Sequence, residues 1–161
     1  MNTGQSFLSI GALLIFSLVS LNFNSSVLSS TTVEVENKVY LTAFSLADDL
    51  IEEIKQKAFD AATLNFPTTD PSTLTEADNL GPGWWEIYPD YNDIDDYNGF
   101  VDSVSAPHAE GYQITSVVQY VDGDDPDEIV LTQTFYKRVT VTVDSPYLRH
   151  PIQLSHIFTL K

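Results

Sequence analysis

The chain has 161 residues, of which 23 are acidic and seven are basic, and its formal net charge is −16. A surface this negative repels phosphates and anionic lipid headgroups, which argues against nucleic-acid binding and favours a folded part that points away from the membrane. The chain has no cysteine, which excludes disulfide bonds, thiolate metal sites and cysteine nucleophiles.

The first predicted element is an apolar helical stalk over residues 1–32, and a globular head follows over residues 33–161. No charged side chain precedes Glu34. Because apolar residues lie on all sides of the stalk, we expect it to be buried in lipid or against copies of itself. The candidate assembly residues in this run are Phe7, Leu8, Ile10, Gly11, Leu13, Leu14, Phe16, Leu18 and Leu21.

A secretory signal peptide is the first alternative for this segment. Residues 1–6 contain no lysine or arginine, whereas a signal peptide begins with a basic region, so we expect the segment to be retained. Residues 21–32 are rich in asparagine, serine and threonine, whose side chains compete for backbone hydrogen bonds. The sequence therefore predicts a weak, locally unwound link after the apolar run.

An amphipathic helix is predicted over residues 33–63. Apolar residues recur there at three- and four-residue steps, from Val39 through Leu46 and Leu50 to Phe59. Pro67 marks the latest point at which this helix can end. Its apolar stripe needs a partner surface, and a sheet formed by the rest of the chain is the natural one.

Residues 64–109 are predicted to form an irregular lobe, because glycine and proline interrupt every short pattern in it. We expect its many aromatic side chains to cover one end of the head core. The alternative is that Trp84 and Trp85, with nearby acids, form a platform for carbohydrate.

The last part of the chain, residues 110–161, alternates with a period of two and predicts an antiparallel meander. The expected strands are residues 112–121, 129–144 and 152–160, which are rich in β-branched and aromatic residues. The fold class is thus α+β, with a long N-terminal helix packed on a small C-terminal antiparallel sheet.

An acidic cluster in the lobe suggests a calcium site. Asp93, Asp95 and Asp96 supply closely spaced carboxylates before a glycine turn, and Ca²⁺ prefers such oxygen ligands. The spacing does not match an EF-hand loop, and a solvated acidic surface explains the same residues. Calcium is the only cofactor that the sequence suggests.

The sequence shows no recognisable catalytic motif. His108, His150 and His156 are scattered, and no serine lies in a Gly-x-Ser-x-Gly setting. We therefore expect a protein that is not an enzyme.

The layout resembles that of the type IV pilin and pseudopilin superfamily. An uncharged apolar helix continues as an amphipathic helix into a C-terminal sheet, and residues 138–143 and 152–159 are similar to the closing hairpin of pseudopilins. In that family a glutamate at the fifth position neutralises a neighbour's N-terminal amine. This chain has Gln5 there, which accepts a hydrogen bond but carries no charge, and it shows no basic leader.

The resemblance implies a structural subunit of an extracellular pilus-like filament at the cell surface. Such a subunit is inserted in the inner membrane before assembly, and it then forms a helical homo-oligomer through its apolar helix. Two alternatives remain open. One is a pseudopilin or minor subunit of a secretion or assembly machine, and the other is a singly anchored surface-binding protein.

Overall fold

The computed structural model describes residues 3–106 and 109–160, and it confirms the α+β fold class. Helix α1 (Thr3–Ile54) is followed by a sheet of four antiparallel strands. The chain divides into two compact units, Met1–Lys38 and Val39–Lys161. The first unit is the apolar part of α1, and the second is the head, in which the rest of α1 packs on the sheet.

The predicted unwound link after Leu21 is wrong, because α1 is helical throughout this region. Its polar side chains bond back to the carbonyl four residues earlier: Asn22 Nδ2 donates to Leu18 O at 2.9 Å, and Thr31 Oγ1 donates to Val27 O at 3.0 Å. These bonds satisfy the side chains without taking the backbone out of the helix. The uncharged helical segment therefore continues without interruption from Thr3 to Val33.

In the head, α1 buries one stripe of side chains that recur at three- and four-residue steps. The stripe packs against valines and tyrosines of the sheet in one continuous core. Its buried members are Val39, Ala43, Ala47, Leu50, Ile51 and Ile54. This arrangement confirms the predicted packing of the helix on the sheet.

Helix α1 ends at Ile54 and does not continue to residue 63 as predicted. Long-range hydrogen bonds hold the next residues in another conformation: Ala58 N donates to Asn92 O at 3.2 Å, and Ile94 N donates to Ala58 O at 2.9 Å. Asp60 then caps a short 3-10 helix, Ala61–Thr63, by accepting from Ala62 N at 3.0 Å. Tertiary pairing thus overrides the helical pattern after Ile54.

The four strands follow each other in space as they do in sequence, which gives a meander. They are β1 (Val101–Ala106), β2 (Ala109–Tyr120), β3 (Tyr136–Asp144) and β4 (Ile152–Thr159). In β3 every second side chain is fully buried, namely Lys137, Val139, Val141 and Val143. The core-facing side of β3 is therefore three valines and one lysine.

Two boundaries of the predicted meander need correction. Strand β1 lies in the segment predicted as an irregular lobe, and the pattern did not reveal it because the strand is short and mostly exposed. Strand β3 begins at Tyr136 and not at Ile129. Before it, Thr134 Oγ1 bonds to the carbonyls of Val121 and Tyr136, at 2.9 Å each, so the chain turns instead of extending.

Candidate functional site

The predicted assembly residues all lie on the first unit of α1. We call the segment Phe7–Phe23 the apolar helix surface; its large apolar side chains are each between 56% and 76% exposed. Gln5 is also exposed, one turn before this surface begins, and Gly11 is half-buried. The surface surrounds the helix, so its apolar side chains have no cover within their own unit.

This helix is long and apolar enough to cross a membrane. Residues 3–33 carry no charge, and at about 1.5 Å per residue they extend for roughly 45 Å, more than the roughly 30 Å hydrocarbon core of a bilayer. None of the apolar window is buried. By length and composition the segment fits a membrane anchor, and an N-terminal signal sequence has the same character.

A second site lies in the head core, where Lys137 meets two aspartates. We call Lys137, Asp60 and Asp95 the Lys137 cluster. Lys137 Nζ lies 2.7 Å from Asp60 Oδ2 and 2.5 Å from Asp95 Oδ1, and it also donates to Phe59 O at 2.9 Å. The lysine side chain has no exposed surface. Because a buried charge needs both ion pairs and hydrogen bonds, this geometry holds β3 against the loops around it.

Both carboxylate oxygens of Asp60 accept hydrogen bonds. Its carboxylate accepts from Ala62 N and Thr75 N, each at 3.0 Å, and from Tyr120 Oη at 3.3 Å, in addition to Lys137. Burial acts to raise the pKa of Asp60, but Lys137 and the backbone donors outweigh it and hold this pKa below its ordinary value. Asp60 is therefore the stable anion of the cluster.

The pKa of Asp95 is shifted in the opposite direction to that of Asp60. Burial raises the pKa of its carboxyl to about 7, against the opposing effect of the Lys137 ammonium group. Among residues 3–106 and 109–160, no donor reaches Asp95 Oδ2, although this oxygen is buried. A buried oxygen without a partner is costly, and protonation of the carboxyl lowers that cost. The surroundings of the two aspartates thus shift their pKa values in opposite directions.

The other two aspartates of the predicted calcium site are also buried and already serve as acceptors. Asp93 Oδ1 accepts from Asp95 N at 2.7 Å, and Asp96 Oδ2 accepts from Asn92 N at 2.8 Å. In residues 3–106 and 109–160, no group of three or more histidine, cysteine or acidic side chains is arranged to hold a metal ion. Calcium binding therefore stays a prediction from the sequence.

Asp93 should make the head less stable as the pH rises from about 4 to about 6. Burial, and then the charge of Asp96, raises its pKa to about 6. The folded state thus keeps a proton that the unfolded state releases near pH 4, so the free energy of unfolding falls by about 2–3 kcal/mol across this window. Urea unfolding followed by circular dichroism at several pH values measures this slope.

The Asp93→Asn variant is the matched test for this pH dependence. Asparagine retains the acceptor oxygen for Asp95 N but does not titrate, so the variant should lose about 2–3 kcal/mol of the pH-dependent change. An identical slope in the variant and the parent chain would contradict the role of Asp93.

The aromatic side chains of residues 64–109 fall into two groups. Tyr97 and Phe100 are buried in the head core, as predicted. Trp84 and Trp85 are 90% and 88% exposed, so the expectation that the lobe's aromatics close the core is wrong for the two largest of them. Both tryptophans lie on a turn whose hydrogen bonds are made by other residues, and neither side chain packs against the core.

We call residues Gly83–Glu86 the tryptophan turn, and one carboxylate fixes its shape. Glu86 Oε2 accepts from Gly83 N at 2.7 Å, while Glu86 Oε1 accepts from Asn92 Nδ2 at 2.5 Å. The Gly83 N–H bond lowers the pKa of Glu86, which keeps this carboxylate ionised. The indoles are therefore presented to solvent by a turn that is tied to the head.

Comparison of the chain with protein-family models, with curated proteins and with solved structures finds no match in any of the three.

Proposed function

We propose that this protein is a structural subunit that assembles into an extracellular pilus-like filament through its apolar helix surface. The observation that carries the proposal is the exposure of this surface, on all sides of a helix that continues into a folded head. In water such a surface drives association, and in lipid it is soluble. A subunit that is inserted in the membrane and later packs into a helix bundle uses both properties.

The free energy available from packing supports the proposal. Burying each of roughly ten large apolar side chains stabilises a bundle in water by about 1.5–3 kcal/mol. This sum exceeds the cost of ordering one more subunit, which is of the order of 4–15 kcal/mol. Repetition of one contact that does not close on itself then generates a helical filament of identical subunits.

Small residues on the apolar helix surface favour close packing of neighbouring helices. Apart from the backbone of its own helix and its two neighbours in sequence, no atom of the described residues lies within 4 Å of the position where a Cβ of Gly11 would lie, so this face is open to an approaching helix. Ser9 and Ser17 bond to their own helix, at Gln5 O and Leu13 O, and add no unsatisfied polar group to a dry interface.

Electron microscopy of material sheared from intact cells tests this proposal. The expected result is thin helical filaments whose main protein, identified by mass spectrometry, is this chain. A chain that stays with the membranes and is a monomer in mild detergent would contradict the proposal and identify the helix as an anchor. A chain found only in short complexes, in small amounts, would fit a pseudopilin instead.

A second candidate function is the binding of neutral carbohydrate at the cell surface. The exposed pair Trp84 and Trp85 favours it, because exposed aromatic rings on a fixed turn suit stacking on sugar rings. No lysine or arginine lies between residues 58 and 136, so an anionic ligand does not fit this region. In this function the apolar helix would be a membrane anchor.

Replacement of Trp84 and Trp85 by alanine should leave the head as stable as before, within about 0.5 kcal/mol, because both side chains are exposed. These are the only tryptophans of the chain, so its tryptophan fluorescence reports on the tryptophan turn alone. Titration with neutral oligosaccharides should shift the emission to the blue if this candidate function is correct. Unchanged emission with every oligosaccharide tested would remove it.

A further inference from the structure

The Lys137 cluster holds an amine within hydrogen-bond distance of two buried carboxyl groups. We propose that Lys137 Nζ and Asp95 Cγ become joined by an intramolecular isopeptide bond, with Asp60 as the proton carrier. Nζ lies 2.5 Å from Asp95 Oδ1 and 2.7 Å from Asp60 Oδ2. Two groups fixed at such a distance react as if they were at very high concentration.

The hydrogen-bond partners of Asp60 and Asp95 determine which carboxyl group reacts and which one accepts the proton. Asp60 is held as an anion by its donors, Ala62 N, Thr75 N and Tyr120 Oη, so it is a poor electrophile, and its carboxylate is left to accept a proton from the acidic ammonium that forms when the amine attacks. Asp95 has one oxygen paired with Lys137, whereas Oδ2 has no donor among the described residues. Asp95 is therefore the group whose carbon is open to attack, and its unpaired oxygen is the one that leaves.

The site also excludes water, which would compete with the amine. The Phe59 ring centroid lies 4.5 Å from Lys137 Nζ, and the Tyr120 ring centroid lies 5.1 Å from it. Asp60, Asp95 and Lys137 are each at most 2% exposed. In such a dry site, transfer of one proton from the Lys137 ammonium group to the Asp95 carboxyl group replaces a buried ion pair with two neutral groups, which are the two reactants.

The reaction balances without any co-reactant. A proton passes from the Lys137 ammonium group to the Asp95 carboxyl group, where it makes Oδ2 a hydroxyl, and the free amine attacks Asp95 Cγ. The bond from Nζ to Cγ forms, and the bond from Cγ to Oδ2 breaks. Asp60 takes the second amine proton and returns it to the departing oxygen, so that one water leaves and an amide remains. No group is oxidised or reduced.

The product removes one cost that the unreacted cluster carries. The unpaired Oδ2 atom leaves with the water, while the Asp60 carboxylate keeps its donors Ala62 N, Thr75 N and Tyr120 Oη. The bond also ties β3 to the 3-10 helix Asp95–Tyr97, across 42 positions of sequence. A chain without cysteine thereby gains a covalent cross-link, whether or not it forms a filament.

Mass spectrometry of the denatured full-length protein tests the proposal directly. An endoprotease that cleaves after glutamate releases fragment 87–110, which contains Asp95, and fragment 129–161, which contains Lys137. We expect these two fragments to remain joined, with a mass one water below their sum, and fragmentation should place the link at Asp95. Two separate fragments of full mass would overturn the proposal. A link from Lys137 to fragment 54–76 would overturn the assignment of Asp95 and point to Asp60.

Three variants separate the roles of the residues. Lys137→Arg and Asp95→Ala should each abolish the mass loss, because each removes one reacting group. Asp60→Asn retains both reacting groups and should slow formation of the bond by at least tenfold, since it removes the proton carrier. Circular dichroism checks that each variant folds, and the cross-linked peptide of the parent chain decides the question even if none of them does. An unchanged rate in a folded Asp60→Asn variant would overturn the role of Asp60.

Discussion

Replacement of Lys137 by methionine should lower the free energy of unfolding of the head by about 3–5 kcal/mol. Methionine fills a similar volume, but it leaves Asp60 and Asp95 buried without their cation, and it also prevents the proposed cross-link to Asp95. Removal of one partner of a buried ion pair costs much more than the pair contributes, because the remaining charge stays desolvated. Urea unfolding of the full chain in mild detergent, followed by circular dichroism, measures the loss.

Lys55→Met is the matched control for this substitution. Lys55 also pairs with a carboxylate, Glu52, at 2.6 Å, but both side chains are exposed. Loss of the Lys55–Glu52 pair should lower the free energy of unfolding by at most about 0.5 kcal/mol, as is typical of exposed ion pairs. Adding Asp95→Asn to Lys137→Met should recover part of the loss, because less unpaired charge stays buried. Equal costs for Lys137→Met and Lys55→Met would contradict a special role for the buried cluster.

The periodicity of the sequence was sufficient to predict the fold class, because each element of the head buries one face. The apolar stripe of α1 and the alternation in β3 both have the spacing of their element. The end of α1 at Ile54 could not be predicted from the sequence, since Ala58 and Phe59 continue the helical spacing. Ala58 instead makes hydrogen bonds to Asn92 and Ile94, and Phe59 O accepts from Lys137 Nζ, which are contacts that a local pattern does not contain.

The Lys137 cluster was missed, although the sequence holds one signal for it. Lys137 is in phase with Val139, Val141 and Val143, so strand alternation places a lysine in the core. Such a lysine needs an acidic partner, and the acidic segment around Asp95 was interpreted as a cation site instead. Which carboxylate meets the lysine depends on tertiary contacts 42 and 77 positions apart in sequence.

A charge on the apolar helix surface should abolish filament formation. Leu14 is 62% exposed in the middle of this surface, and Leu14→Asp places a carboxylate where lipid or a neighbouring helix is expected. Insertion of this carboxylate in a membrane costs about 2.5–3.5 kcal/mol, and in a bundle every subunit bears the same cost. Electron microscopy of sheared material should show no filaments. Leu131→Asp makes the same change at a leucine of the head that is 81% exposed, and filaments should persist.

Gly11→Leu separates a filament helix from a simple anchor, which Leu14→Asp cannot do. Among residues 3–106 and 109–160, nothing beyond the adjacent helix backbone lies within 4 Å of the added Cβ, so a single subunit accommodates leucine, and its membrane affinity rises. Between tightly packed helices, however, the larger side chain separates the backbones and prevents close approach. We therefore expect Gly11→Leu to stay in the membrane fraction at normal levels and to form few or no filaments. Normal filaments in this variant would show that Gly11 does not lie at a helix contact, whereas normal filaments in Leu14→Asp would contradict assembly through the apolar helix surface.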